Sequence, residues 1–202
     1  TAAALAALGT GGPALALQSG RRMPLVGLGT WQSRPGEVGA AVRAALRAGY
    51  RHLDCAAAYG NEAEVGAVLA EMVGDGPGQI PRSELFVTSK LWNSEHAPEN
   101  VRPALARTLA DLRLAYVDLY LVHWPQAFAK VPGTHAGRPT NADGSVRYDT
   151  ATTLADTWRA MSEVRALGLA RDVGVSNFNS RQLAALLALR EDDKDGAAAI
   201  AH

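Results

Sequence analysis

The chain is 202 residues long, 48% hydrophobic and 20% charged, with a formal net charge of zero. That balance describes an ordinary globular chain and argues against a nucleic-acid or anionic-membrane partner, which an excess of basic residues would mark. No apolar run approaches the roughly 18 residues that a membrane-spanning helix needs, and a single cysteine, Cys55, excludes an internal disulfide framework and fits a reducing, cytoplasmic compartment.

Residues 1–16 read as a disordered or weakly helical leader, because glycines and Pro13 interrupt the alanine-rich run. The segment has neither an initiator methionine nor the basic flank of a secretory signal. The chain therefore reads as processed or as a fragment, with a targeting remnant as the alternative. LQSGRRMPLVGLG, residues 17–29, places turn residues between two short apolar stretches and is expected to form a hairpin ahead of the main fold. PGEVGAAVRAALRAG follows, with Val38, Ala41, Val42, Ala45 and Leu46 at helical spacing and Gly49 as a stop.

From there strands and helices alternate. YRHLDCA predicts a strand and NEAEVGAVLAEMVG a helix; ELFVTSKLW predicts a strand and PENVRPALARTLADLRL a helix. YVDLYLVHW is a third strand, followed by a long loop and the helix TLADTWRAMSEVRALG. DVGVSNF is the fourth strand, and NSRQLAALLALR its helix. Four short apolar runs, each followed by a helix, imply parallel strands with helical crossovers. The fold class is α/β, either a (β/α) barrel or an open doubly wound sheet.

Each predicted strand ends in a polar group: Asp54, Lys90, His123, and Ser176 with Asn177. In parallel α/β folds all carboxyl ends lie on one face, so these residues are expected to converge there. Each has a bland reading too. Asp54 suits a turn, Lys90 a snorkelling cation, His123 a satisfied core histidine and Ser176 a helix cap. Four in the same structural position favour chemistry. The chain has 17 arginines and three lysines, so a lysine at a strand end is conspicuous. Its ammonium could stand beside the phenol of Tyr59 and favour the phenolate, with Asp54 holding the ammonium. A phenol of reference pKa about 10 donates a proton at neutral pH only with such help. His123 would orient a carbonyl oxygen. Proton donation to a carbonyl implies a hydride source that side chains cannot provide, hence a nicotinamide cofactor.

These residues stand in segments that resemble the aldo-keto reductases, most closely the aldehyde reductase branch. GYRHLDCAAAYGNEAEVG is similar to that family's first signature and VGVSNF to its second. FVTSKLWN, DLRLAYVDLYLVHWP and PLVGLGTWQS extend the resemblance from Leu17 to Leu189. It implies a (β/α)8 barrel, of which residues 17–190 would be the N-terminal half with four βα units, and residues 191–202 a divergent tail. It implies NADPH-dependent reduction of aldehydes or ketones by Asp54, Tyr59, Lys90 and His123, with Tyr59 the general acid. By the same resemblance Ser176 and Asn177 would bind the nicotinamide carboxamide, Thr30 and Trp31 would contact the cofactor, and Trp31, Trp92 and Trp124 would line the carbonyl pocket. A full-length relative is expected to be a monomer.

Trp158, at helical spacing, is read as packing, His135 as solvated, and His52 without a role. The resemblance implies NADP(H) bound in an extended form across the barrel mouth, which needs no G-x-G-x-x-G turn; GTGGP at residues 9–13 follows no strand and opens no helix. Residues 126–149 form a long loop expected to cover part of the mouth. Five scattered histidines and one cysteine do not space like metal ligands. Gln32 departs from the lysine that many family members carry near the cofactor phosphates.

LREDDKDGAAAIAH stands where a further strand is expected. By the same resemblance, the absent half of a barrel would carry a glutamine and a tyrosine that sandwich the nicotinamide, and the basic segment for the 2′-phosphate. Weak or absent activity is therefore expected of these 202 residues, and the open sheet edges and apolar inner surface would favour self-association. Two readings stand beside the reductase: a non-catalytic product that keeps the four residues but cannot retain cofactor and acts only by associating with another chain, and an unrelated βα protein that binds phosphate or sugar.

Overall fold

The computed structural model describes residues 12–192. Two strands, β1 (Ala14–Ala16) and β2 (Arg22–Pro24), form an antiparallel hairpin, and β3 (Leu28–Gly29) opens a parallel sheet. Then follow α1 (Val38–Arg47), β4 (His52–Asp54), α2 (Glu62–Met72), β5 (Phe86–Leu91), α3 (Pro98–Leu112), β6 (Val117–Val122), α4 (Leu154–Ala166), β7 (Ala170–Val175) and α5 (Ser180–Asp192). The five strands of the sheet lie in chain order, β3-β4-β5-β6-β7, and every pair is parallel. This is the strand–helix repeat of a barrel wall rather than of an open doubly wound sheet, whose strand order reverses.

Two sequence expectations change. The sheet contains five βα units, not four: Leu28 and Gly29 pair with Leu53 and Asp54, so α1 is the crossover of a first unit. That strand has two residues, too short for its apolar alternation to be read. The leader is also shorter than residues 1–16, since Ala14–Ala16 form β1 and pair with Arg22–Pro24. Its first 11 residues, and 193–202 of the tail, lie outside the described residues.

Period two divides the strands into two faces. Leu53, Val87, Leu91, Tyr120, Val122 and Val173 are buried together with Val42, Leu46, Val65, Leu69, Leu105 and Met161 of the helices. Burial of each such aliphatic side chain stabilises by about 2 kcal/mol. Ala41, expected in the α1 stripe, is exposed, while Val38, Val42, Ala45 and Leu46 are buried. The opposite face carries a second small cluster, Leu17, Phe86 and Leu119, against which Met23 and Leu121 pack. The hairpin thus covers part of the inner surface that the sequence reading left open. Trp158 is 8% exposed and belongs to the main core, as does Cys55.

Local signals set the helix ends. Gly49 lies at φ 95° after α1, the left-handed region in which glycine is unstrained. Thr153 and Asp156 form a reciprocal capping box that starts α4. Pro98 stands in the first turn of α3, where a missing N–H costs nothing.

Candidate active site

Asp54 ends β4, and the chain then makes a short 3-10 turn over Ala57–Tyr59 that Gly60 closes at φ 68°. The turn carries the Tyr59 ring back over the end of β5. Lys90, on β5, is 5% exposed. Its Nζ donates to Asp54 Oδ1 at 2.6 Å, to the Cys55 carbonyl at 3.0 Å and to the Tyr59 hydroxyl oxygen at 3.1 Å. An ammonium has three protons. All three are committed, so the phenol oxygen acts as acceptor toward lysine and its own proton is free to point elsewhere.

His123 follows β6, 7% exposed. Its ring lies edge-on to Tyr59, with centroids 5.8 Å apart. Trp92 approaches edge-on at 5.2 Å and Trp124 stacks at 6.5 Å. Burial, and then the nearby Lys90 charge, lower the imidazole pKa to about 4. The ring is therefore neutral at pH 7 and donates through one nitrogen only. Its Nδ1 is buried without a hydrogen-bond partner among the described residues.

Ser176 and Asn177 follow β7. Asn177 adopts φ 62°, a left-handed conformation that asparagine tolerates. Its Nδ2 donates to the His123 carbonyl at 2.8 Å and to Ser176 Oγ at 3.1 Å. That leaves Asn177 Oδ1 as an acceptor and the Ser176 hydroxyl proton as a donor, the complement of a primary carboxamide. Trp31 is 67% exposed, 6.5 Å from the Tyr59 ring, and Trp124 is also exposed. Asp54, Tyr59, Lys90 and His123 are thus brought together, with Trp31, Trp92 and Trp124 around them and Asn177 bonded to the backbone of His123.

Thr30 is placed differently. It is fully buried, and both its hydroxyl and its amide donate to the Asp54 carbonyl at 3.1 Å. Its side chain fixes the strand end that carries Asp54. Asn61 contributes to the same support, donating from Nδ2 to the Thr30 carbonyl at 2.8 Å. The sequence reading assigned Asn61 nothing; its position between a glycine and the acidic first turn of α2 marked a helix start, without indicating this long-range bond. His52, also without an assigned role, lies within hydrogen-bond distance of the Pro24 carbonyl at 3.0 Å and Thr88 Oγ1 at 3.1 Å. It ties the hairpin to the sheet. His135 is exposed. Among the described residues no group of three or more His, Cys, Asp or Glu is placed to hold a metal ion, and no helix is long and apolar enough to cross a membrane.

The description "Aldo/keto reductase family" matches residues 25–201. The chain is 58% identical over 167 residues to aldo-keto reductase family 1 member A1 of Sus scrofa, a match covering 83% of this chain and 50% of that protein. The Homo sapiens protein of the same name is 56% identical over 173 residues, covering 86% of this chain and 52% of the relative. Among solved structures, the aldose reductase of Schistosoma japonicum superposes with a TM-score of 0.79 at 44% identity, covering 87% of this chain and 56% of that one. That of Giardia lamblia gives 0.76 at 44% identity, covering 80% and 52%. The chain spans about half the length of the curated relatives it matches.

Proposed function

Because the chain belongs to the aldo/keto reductase family, we propose that it carries the proton-delivering half of an NADP(H)-dependent reductase of aldehydes and ketones. The reading rests on one observation above all. The Tyr59 hydroxyl oxygen takes the third bond of the Lys90 ammonium, beside a neutral imidazole.

The free donor–acceptor pair of Ser176 and Asn177 suits a nicotinamide carboxamide, and the exposed face of Trp31 offers a flat apolar wall beside the Tyr59 ring. Ser176 and Asn177 would hold the nicotinamide, which in its reduced form would supply hydride to a carbonyl carbon. This chain's own residues handle the oxygen. His123, neutral, donates a hydrogen bond that aims the carbonyl oxygen at Tyr59. Tyr59 then gives its proton to that oxygen as negative charge develops there. The Lys90 ammonium meets the charge left on the phenolate, and Asp54 keeps the ammonium in place. Preference for the phosphorylated dinucleotide follows from family membership, and comparing NADPH with NADH tests it.

The experiment is Tyr59→Phe. The hydroxyl is lost and the ring stays, so NADPH should quench tryptophan fluorescence as in the unsubstituted chain while reduction of p-nitrobenzaldehyde falls by about 10²-fold or more. Measurable turnover in the unsubstituted protein that the phenylalanine variant matches would remove Tyr59 from the mechanism.

A second reading is favoured by the outer edge of β7, which pairs with no strand among the described residues. In it the 202 residues assemble the four groups but do not retain cofactor, and act only by associating with another chain. Absence of salt-stable NADPH quenching and of aldehyde reduction, together with a mass in solution above that of one chain, would select it.

A further inference from the structure

Glu95 lies in a 3-10 turn (Asn93–Glu95) just past β5, and the proposed mechanism leaves it unused although its side chain is only 2% exposed. Lys130 Nζ donates to its Oε1, and Arg107 NH2 of α3 lies 3.2 Å from its Oε2. The two cations are each about one-third exposed. They arrive from different elements, Lys130 from residues 123–153, the loop between β6 and α4, and Arg107 from α3. A carboxylate this deeply buried depends on its partners, because an unpaired buried charge is strongly unfavourable. The loop cannot lift at Lys130 without leaving that charge short of a cation.

Much of the loop is exposed, including 132–136, so apolar burial does little to hold it. Its other attachments cluster around Trp92. The Phe128 amide donates to the Asn93 carbonyl at 2.9 Å, Phe128 meets the Trp92 ring edge-on at 6.1 Å, and Trp92 Nε1 donates to the Gly137 carbonyl at 3.0 Å. Behind Trp92 lies a cavity of about 130 Å³, lined also by Glu95, Arg107, Tyr120 and His135. Close packing on that side does not fix the indole, whose position depends on the loop.

We infer that Glu95 is a positioning residue for the carbonyl pocket: through Lys130 it holds the 123–153 loop down, and the loop in turn holds Trp92 against His123. The pocket is that of the reductase reading, on which the inference rests for its meaning though not for its measurement. The anchor sets the width of the pocket wall without touching substrate.

The test labels the chain with 5-fluorotryptophan and assigns the Trp92 fluorine resonance with Trp92→Phe. In Lys130→Met, which alters a one-third-exposed side chain, the Trp92 resonance should move or broaden while that of Trp158 stays in place. Amide exchange over 128–137 should rise roughly tenfold, with β5 and β6 unchanged. Lys130→Arg should restore both signals. Glu95→Gln should reproduce Lys130→Met, and the double variant should add nothing further; if the glutamine variant does not fold, the Lys130 pair decides. Unchanged Trp92 resonance and loop exchange in Lys130→Met would overturn the inference and leave the reductase reading standing. Absent turnover with a displaced Trp92 resonance would do the reverse.

Discussion

At the scale of single residues, the buried ionisable groups predict how stability depends on pH, with two signs in one window. Burial lowers His96 to about 4. Between that value and 6.5 the unfolded chain takes up a proton that the fold refuses. Its contribution is therefore full above pH 6.5 and is lost as pH falls toward 4, by at most about 3 kcal/mol. His123 acts in the same direction for the same cause. Glu62 opposes them. Burial raises it to about 7 against the hydrogen bonds from Ser89 and Thr108, so the fold holds a proton that the unfolded chain has released above 4.5. Lowering pH from 7 to 4.5 then stabilises. The histidines should dominate, and urea midpoints should fall between pH 6.5 and 4. His96→Asn should flatten that decline and Glu62→Gln should steepen it. Identical slopes in all three proteins would show that these groups titrate alike in both states.

At the scale of elements, the sequence was readable where apolar periodicity ran long and not where it was short. α3 and the six-residue strands β5 and β6 stand within two residues of their expected ends, because several turns or alternations repeat the same signal. β3, with two residues, had no alternation to read, and its partner in β4 is remote in sequence. Helix contacts were equally hidden. Gly66, inside α2, looks like a mild defect by propensity. In the fold a Cβ placed there would stand 1.9 Å from the Asp111 carbonyl oxygen and 2.7 Å from the Leu112 carbonyl carbon. Both are backbone atoms of α3 and cannot rotate away. Gly66→Ala, favourable in an isolated helix, should therefore destabilise this chain by about 3 kcal/mol, as α2 and α3 are forced apart. Urea unfolding measures it. A variant as stable as the parent would mean that the two helices do not pack at this distance.

At the scale of the whole molecule, the site was legible because topology does the gathering. Once the strands are parallel, Asp54, Lys90 and His123 must share one end of the sheet, whatever their separation in sequence. The supports were not legible, since Asn61 on the Thr30 carbonyl and Glu95 under Lys130 are single long-range contacts with no periodic trace. The opposite end of the sheet has another such contact. Asp172 of β7 is 1% exposed; it accepts from Ser19 Oγ at 2.8 Å, and Arg21 Nε lies 3.6 Å away. Both partners lie in the turn between β1 and β2, 153 and 151 positions earlier in the chain. The bond closes the hairpin over Phe86 and Leu119 from the last strand of the sheet, so one carboxylate joins the first element to the far edge. Asp172→Ala should cost about 1–3 kcal/mol of stability and raise amide exchange in β1 and β2 more than in β5. Slower or unchanged exchange in the hairpin would show that Leu17 and Met23 hold it by packing alone.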